Sequence, residues 1–113
     1  MKGLNKVTLI GNLGDAPEVK VLAEEVKVAK FSLATNEFYK DQNGLQQAHT
    51  EWHTIVAWRG LAVLAEKYLR KGSLVYIEGK LKTRSYLGQD GKKHYVTEII
   101  AQEITLLDKK EHG

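Results

Sequence analysis

The sequence predicts a mainly β chain in which five strands close an antiparallel barrel, with one helix between the third and fourth strands. Three observations predict it. Residues 26–37, 50–59 and 73–86 alternate in character with period two, as strands with two unlike faces do. Only residues 61–69 change to helical spacing, with Leu61, Leu64, Ala65, Tyr68 and Leu69 in phase. Clusters of Gly, Asn and Asp separate these runs, and 113 residues suffice for one domain with a core but not for two.

Residues 7–11 read as a short first strand, ended by the turn chemistry of Gly11-Asn12-Leu13-Gly14-Asp15. The single proline, Pro17, fits a loop or a strand start, and residues 18–22 alternate weakly. Residues 26–37 form a long strand, and 39–48 a polar stretch with Asp41-Gln42-Asn43-Gly44 as a hairpin tip. Residues 50–59 follow as a strand carrying both tryptophans, and Gly72 ends the helix after 61–69. Residues 73–86 divide cleanly. Val75, Ile77, Gly79 and Leu81 lie on one face, and Tyr76, Glu78, Lys80, Lys82, Arg84 and Tyr86 on the other. Gly88-Gln89-Asp90-Gly91 is a second tip, 93–107 supplies one last strand or two, and 108–113 reads as a short, charged, fraying tail after a domain of 1–107. A coiled antiparallel sheet with a helix between its third and fourth strands describes an OB-fold barrel.

Composition narrows the function classes. With no cysteine there are no disulfides and no thiolate metal sites. No apolar run approaches the roughly 18–20 residues of a membrane span, and the basic N-terminus is not followed by a signal-peptide core, so a cytoplasmic location is expected. The formal net charge of +3 is mild, but it is unevenly spread: Lys80, Lys82, Arg84, Lys92 and Lys93 crowd one segment with only Asp90 against them. His49, His53, His94 and His112 are scattered, and Glu51 with His53 is a single pair better read as structural than as a metal or base site. Without a phosphate loop, a nucleophile elbow or a carboxylate cluster, the chain is expected to be no enzyme and to need no cofactor or metal.

Trp52 and Trp58 stand six residues apart, so an extended strand shows both rings on one face. Such rings are either core or a platform for stacked bases, a contact of roughly 1–3 kcal/mol per base. The row Lys80, Lys82, Arg84 repeats at about 6.6–6.8 Å. It is either a solvated, aggregation-resistant edge or a track for phosphates, in which case affinity falls steeply with salt.

Several runs resemble those of the bacterial single-stranded DNA-binding protein family. They are Asn5-Lys6-Val7-Thr8-Leu9-Ile10-Gly11-Asn12-Leu13-Gly14, Ser32-Leu33-Ala34-Thr35, Thr50-Glu51-Trp52-His53, Tyr68-Leu69-Arg70-Lys71-Gly72-Ser73-Leu74-Val75-Tyr76-Ile77-Glu78-Gly79 and Leu81-Lys82-Thr83-Arg84. The resemblance implies an OB-fold homotetramer, a dimer of dimers, that coats single-stranded DNA without sequence preference in replication, recombination and repair. It implies stacking on Tyr39, Trp52, Trp58 and Tyr86, where Tyr39 and Tyr86 stand at positions often held by tryptophan and Trp58 at one often held by phenylalanine. It implies phosphate contacts from Lys6, Lys82 and Arg84, with Arg59, Lys80, Lys92 and Lys93 as neighbouring cations. It puts His53, Tyr76 and Glu78 at subunit contacts and pairs the first strand, with Asn5, Val7 and Leu9, with its mate. It also implies association with the nucleoid.

Two features depart from the family pattern. Val21-Leu22-Ala23-Glu24-Glu25-Val26 lacks the usual Gly-rich turn, so that hairpin is expected to differ. The sequence ends without the acidic tip that recruits replication and repair proteins, so recruitment by that route is not expected. The rival readings are a dimeric assembly factor of the primosomal replication protein N type, an RNA-binding OB-fold protein, and an OB-fold nuclease, the last of which would need a carboxylate cluster.

Overall fold

The computed structural model describes residues 1–108, so the anticipated tail lies outside the described residues beyond Asp108. The elements run β1 (Val7–Leu13), β2 (Glu18–Val21), β3 (Lys27–Lys40), β4 (Gln46–Trp58), α1 (Gly60–Tyr68), β5 (Leu74–Leu87) and β6 (Lys93–Leu106). The sheet order is β1-β5-β6-β4-β3-β2, and a further β1–β3 pairing closes the five long strands into the expected barrel. One junction is parallel: β4 meets β6 at Ile55↔Ile99 and Val56↔Ile100. The weakly alternating residues 18–21 add β2 outside the barrel as an edge on β3.

Closure requires two close backbone approaches, and a glycine sits at each. At Gly11, where β1 passes from β5 to β3, a Cβ would strike the carbonyl oxygen of Ala34. At Gly79, beside a β-bulge, a Cβ would strike the carbonyl oxygen of Ile100. Inside, Leu33, Ile55, Val75 and Ile77 are fully buried. α1 joins them through Ala62, Ala65 and the following Leu69, with Leu61 and Leu64 partly covered. Tyr68, in phase with that face by spacing, is exposed.

The strands outrun the barrel. β3 extends to Lys40 and β4 begins at Gln46, so half of the polar stretch 39–48 is paired strand flanking the tip. Residues 93–106 form a single strand paired with β5 to its tip. The distal halves of both hairpins therefore project as two-stranded ribbons. The Cα radius of gyration is 16.7 Å, against about 13 Å for a compact chain of this length. Side-chain caps hold the tips: the Asp41 carboxylate accepts from the backbone N–H groups of Asn43 at 2.9 Å and Leu45 at 3.0 Å, and Asp90 accepts from Lys92 N–H at 2.9 Å. The Leu45 bond leads in holding the Asp41 carboxyl below its usual range.

Candidate nucleic-acid interface

On the β3–β4 ribbon, unbroken register from Val28↔Trp58 to Lys40↔Gln46 fixes which residues share a face. Ile55 and Ala57 point into the barrel, while Trp52 and Trp58 point out, 59% and 41% exposed. The rings are thus on the surface, as a platform requires. Val56 shares their face yet is buried. It lines a recess of roughly 240 Å³ with Trp58, Val28, Lys30, Arg84 and Glu98. Trp52 has a backstop: a Cβ on Gly14 would lie 2.6 Å from its ring, so the bare glycine of the β1–β2 loop lets the indole lie close. Tyr39 is exposed but falls on the opposite face, with Gln47, His49 and Glu51.

The β5–β6 ribbon carries the charge. Glu98 is nearly buried and anchors a cluster. Arg84 donates to it twice, Nε to Oε1 at 3.1 Å and Nη2 to Oε2 at 3.2 Å, and Lys30 Nζ lies 3.5 Å from Oε2. The Arg84 bonds hold the Glu98 carboxyl below its ordinary range against the opposing effect of burial, and Glu98 in turn raises the Arg84 guanidinium. Lys82 stands directly across from Glu98 in register. Among the described residues Lys80, Lys82, Lys92, Lys93 and Arg59 form no ion pair. Arg59 lies apart from the stripe, beside Glu24, Glu25 and Val63, because its φ of 57° turns the chain before α1. At the ribbon tip Tyr86 stacks on His94, with centroids 5.5 Å apart and planes at 25°. His94 Nε2 lies 3.1 Å from Asp90 Oδ1.

The single-strand binding protein family model matches residues 4–107. The chain belongs to this family. Single-stranded DNA-binding protein 1 of Chlorobaculum tepidum is 49% identical over 113 residues, 99% of this chain and 70% of that protein. The single-stranded DNA-binding protein of Xanthomonas axonopodis pv. citri is 44% identical over 112 residues, 99% of this chain and 62% of the relative. The chain thus spans between three-fifths and seven-tenths of the relatives' length. A solved structure, the Plasmodium falciparum SSB complex with ssDNA, superposes with a TM-score of 0.88 at 42% identity, covering 96% of this chain and 98% of that one.

The remaining residues that the sequence reading singled out lie elsewhere on the barrel. Lys6 Nζ is 3.6 Å from Glu78 Oε2, and the Tyr76 hydroxyl donates to Glu78 Oε1 at 2.9 Å, which raises the Tyr76 pKa. Asn5 is fastened to the Leu81 backbone by paired bonds of 2.8 and 2.9 Å. Val7 and Leu9 pack partly against this chain's own core, leaving Thr8 and Ile10 outward. Half-buried His53 meets the Thr35 hydroxyl at 3.0 Å. Among the described residues no group of three or more His, Asp or Glu could hold a metal, and no helix is long and apolar enough to cross a membrane.

Three features of the site escaped the sequence reading. The Arg84–Glu98 pair is one; an acid directly before the apolar run Ile99-Ile100-Ala101 was its signal. The Tyr86–His94 stack depends on cross-strand register, which residue order alone does not fix. The outward face of Phe38 was legible from parity, since 38, 52 and 58 are all even, once the two strands are taken as directly paired.

Proposed function

We propose that this chain binds single-stranded DNA without sequence preference, protecting it during replication, recombination and repair. The observation that carries this reading is the pair of outward indoles on one face, next to a cation-bearing ribbon, in a fold that superposes at 0.88 on a relative solved with single-stranded DNA. Bases stack on Trp52 and Trp58, and on Tyr86 and Tyr39 where the strand passes over each ribbon. Lys80, Lys82, Lys92 and Lys93 neutralise phosphates; Arg59 and Lys6 are secondary, the one remote from the stripe and the other paired to Glu78. Stacking ignores base identity because every base has a π-face.

The assembly we propose is a homotetramer. Among the described residues β1 pairs with β5 through Val7–Asn12 and with β3 only at Asn12 and Leu13. Its other backbone edge is therefore free over most of its length, which suits strand pairing with a second copy. The protein works in the cytoplasm on the nucleoid. Tryptophan emission titrated with oligo-dT tests the reading: quenching at low salt, reversed by added salt, is expected. Absence of quenching, or equal binding of duplex DNA, sinks it.

A further inference from the structure

The tryptophan face of the β3–β4 ribbon carries a third exposed ring. Phe38 stands opposite Ala48 and Trp52 opposite Ala34, with no break in register between them. Period two therefore puts Phe38, Trp52 and Trp58 on one face and turns Tyr39 to the other. Phe38 is 67% exposed, and the residue across from it offers only a methyl group. Its neighbours on the face are polar: the Thr50 hydroxyl donates to Asn36 Oδ1 at 2.6 Å on the barrel side, and Lys40 pairs with Gln46 on the tip side. A phenyl ring has no polar atom to place in water, so this one gains only when a flat apolar surface covers it.

The spacing suits a base. Six residues separate Trp58 from Trp52, about 20 Å of strand, and four more reach the level of Phe38, about 13 Å. At about 6.6–6.8 Å per nucleotide, two residues of strand, the three rings meet bases three and two nucleotides apart. Lys40, two residues beyond Phe38 on the same face, is a cation for the next phosphate. We propose that Phe38 is a further nucleobase-stacking site, continuing the Trp58–Trp52 row toward the hairpin tip and occupied by a base of the same single strand. This rests on the single-stranded DNA reading above.

A relocated indole tests it. Phe38→Trp in a Trp52→Phe, Trp58→Phe background makes position 38 the sole indole, while the barrel rings still stack. Binding of labelled oligo-dT is followed by anisotropy, and tryptophan emission is read in parallel. Quenching on binding is expected; binding with unquenched emission overturns the proposal alone, whereas absence of binding by the unaltered chain overturns the reading beneath it. In the unaltered background Phe38→Ala should weaken a long oligo-dT about five- to 150-fold and leave one too short to reach the ribbon tip nearly unchanged. Phe38→Tyr should restore binding. Loss on Tyr39→Ala with none on Phe38→Ala overturns the assignment. So does a change in solution mass on Phe38→Ala, which would give the ring to a contact between copies.

Discussion

The two ribbons that project from the barrel are built alike and equipped differently. Both are long antiparallel hairpins capped by an aspartate at the tip. The β3–β4 ribbon shows uncommitted rings: Trp52 and Trp58 make no ring stack within the described residues, and the polar groups beside them are mostly neutral. On the β5–β6 ribbon the groups are already engaged. Arg84 is bonded to Glu98 and Tyr86 is stacked on His94. Under the proposed function the difference separates two jobs. One ribbon offers π-faces, whose contribution is insensitive to salt; the other offers lysines on a frame stiffened by its own internal contacts, whose contribution salt removes.

The largest expected effect falls on the first ribbon. Trp52→Ala should weaken oligo-dT binding by about 1–3 kcal/mol while leaving the slope of log affinity against log salt unchanged. Lys82→Ala should do the reverse, lowering that slope by about 0.7 with a smaller loss at high salt. Arg84→Ala should change the slope less than Lys82→Ala, because Glu98 already opposes the guanidinium. Titrations at several salt concentrations separate these outcomes, and equal slopes for the two cation variants would erase the distinction between lysines and arginine.

Next in size is the pair that stiffens the second ribbon. Glu98→Gln should reduce stability by about 1–2 kcal/mol at neutral pH, since Arg84 is half exposed and solvent screens part of the pair. The folded-state carboxyl is held below its unfolded value, chiefly by the Arg84 bonds. Its stabilising contribution is therefore complete above the unfolded carboxylate range, near pH 4.3, and is lost as pH falls through the lower folded value. Urea midpoints of the unaltered chain and the Glu98→Gln variant should converge as pH falls below about 4. A constant gap across that range would show that the pair contributes through packing instead.

Much of the barrel was legible because its inward residues alternate strictly. Val75, Ile77 and Gly79 announce one buried face, and the change of period at Leu61 announces the helix. The ribbons were harder to see. Past Lys80 on β5 and past Thr35 on β3 both faces meet solvent, so burial no longer imposes alternation and polar strand looks like loop. Leu81 shows the change: it continues the apolar phase of Val75 and Ile77 yet is exposed. The shared outward face of the tryptophans was legible from parity, but the charge balance of the neighbouring ribbon was not. Whether Arg84 is free or paired depends on Glu98 standing diagonally from it on the neighbouring strand, two residues along from its partner Val96, and sequence order carries no such register.

A third hairpin extends the comparison from side chains to backbone. The tips of the two ribbons place glycines, Gly44 and Gly91, where φ is positive. The β2–β3 turn places Glu24 and Glu25 there instead, each at φ 61°. Left-handed backbone costs an L-residue roughly 1–2 kcal/mol, and neither side chain is buried in return. Glu25→Gly should therefore stabilise the chain by about 0.5–1 kcal/mol even after the greater entropy of glycine in the unfolded state. A rise in thermal midpoint with unchanged oligo-dT affinity is expected. A fall would mean that the two glutamates earn their conformation through the recess they share with Arg59 and Val63.

The smallest effect concerns the engaged ring of the second ribbon. Tyr86 and His94 lie directly across from each other, and such cross-strand pairs contribute roughly 0.2–1 kcal/mol. A bare Gly88 makes room for the imidazole, since a Cβ there would lie 2.5 Å from it. His94→Ala should therefore lower stability by no more than that. It should change oligo-dT affinity by less than about threefold, because it frees one face of Tyr86 without taking away the other face, the one open to the proposed stacking. If instead affinity fell as far as in Trp52→Ala, the imidazole itself would be in contact with the strand, and the division between uncommitted rings on one ribbon and committed rings on the other would fail at its tip.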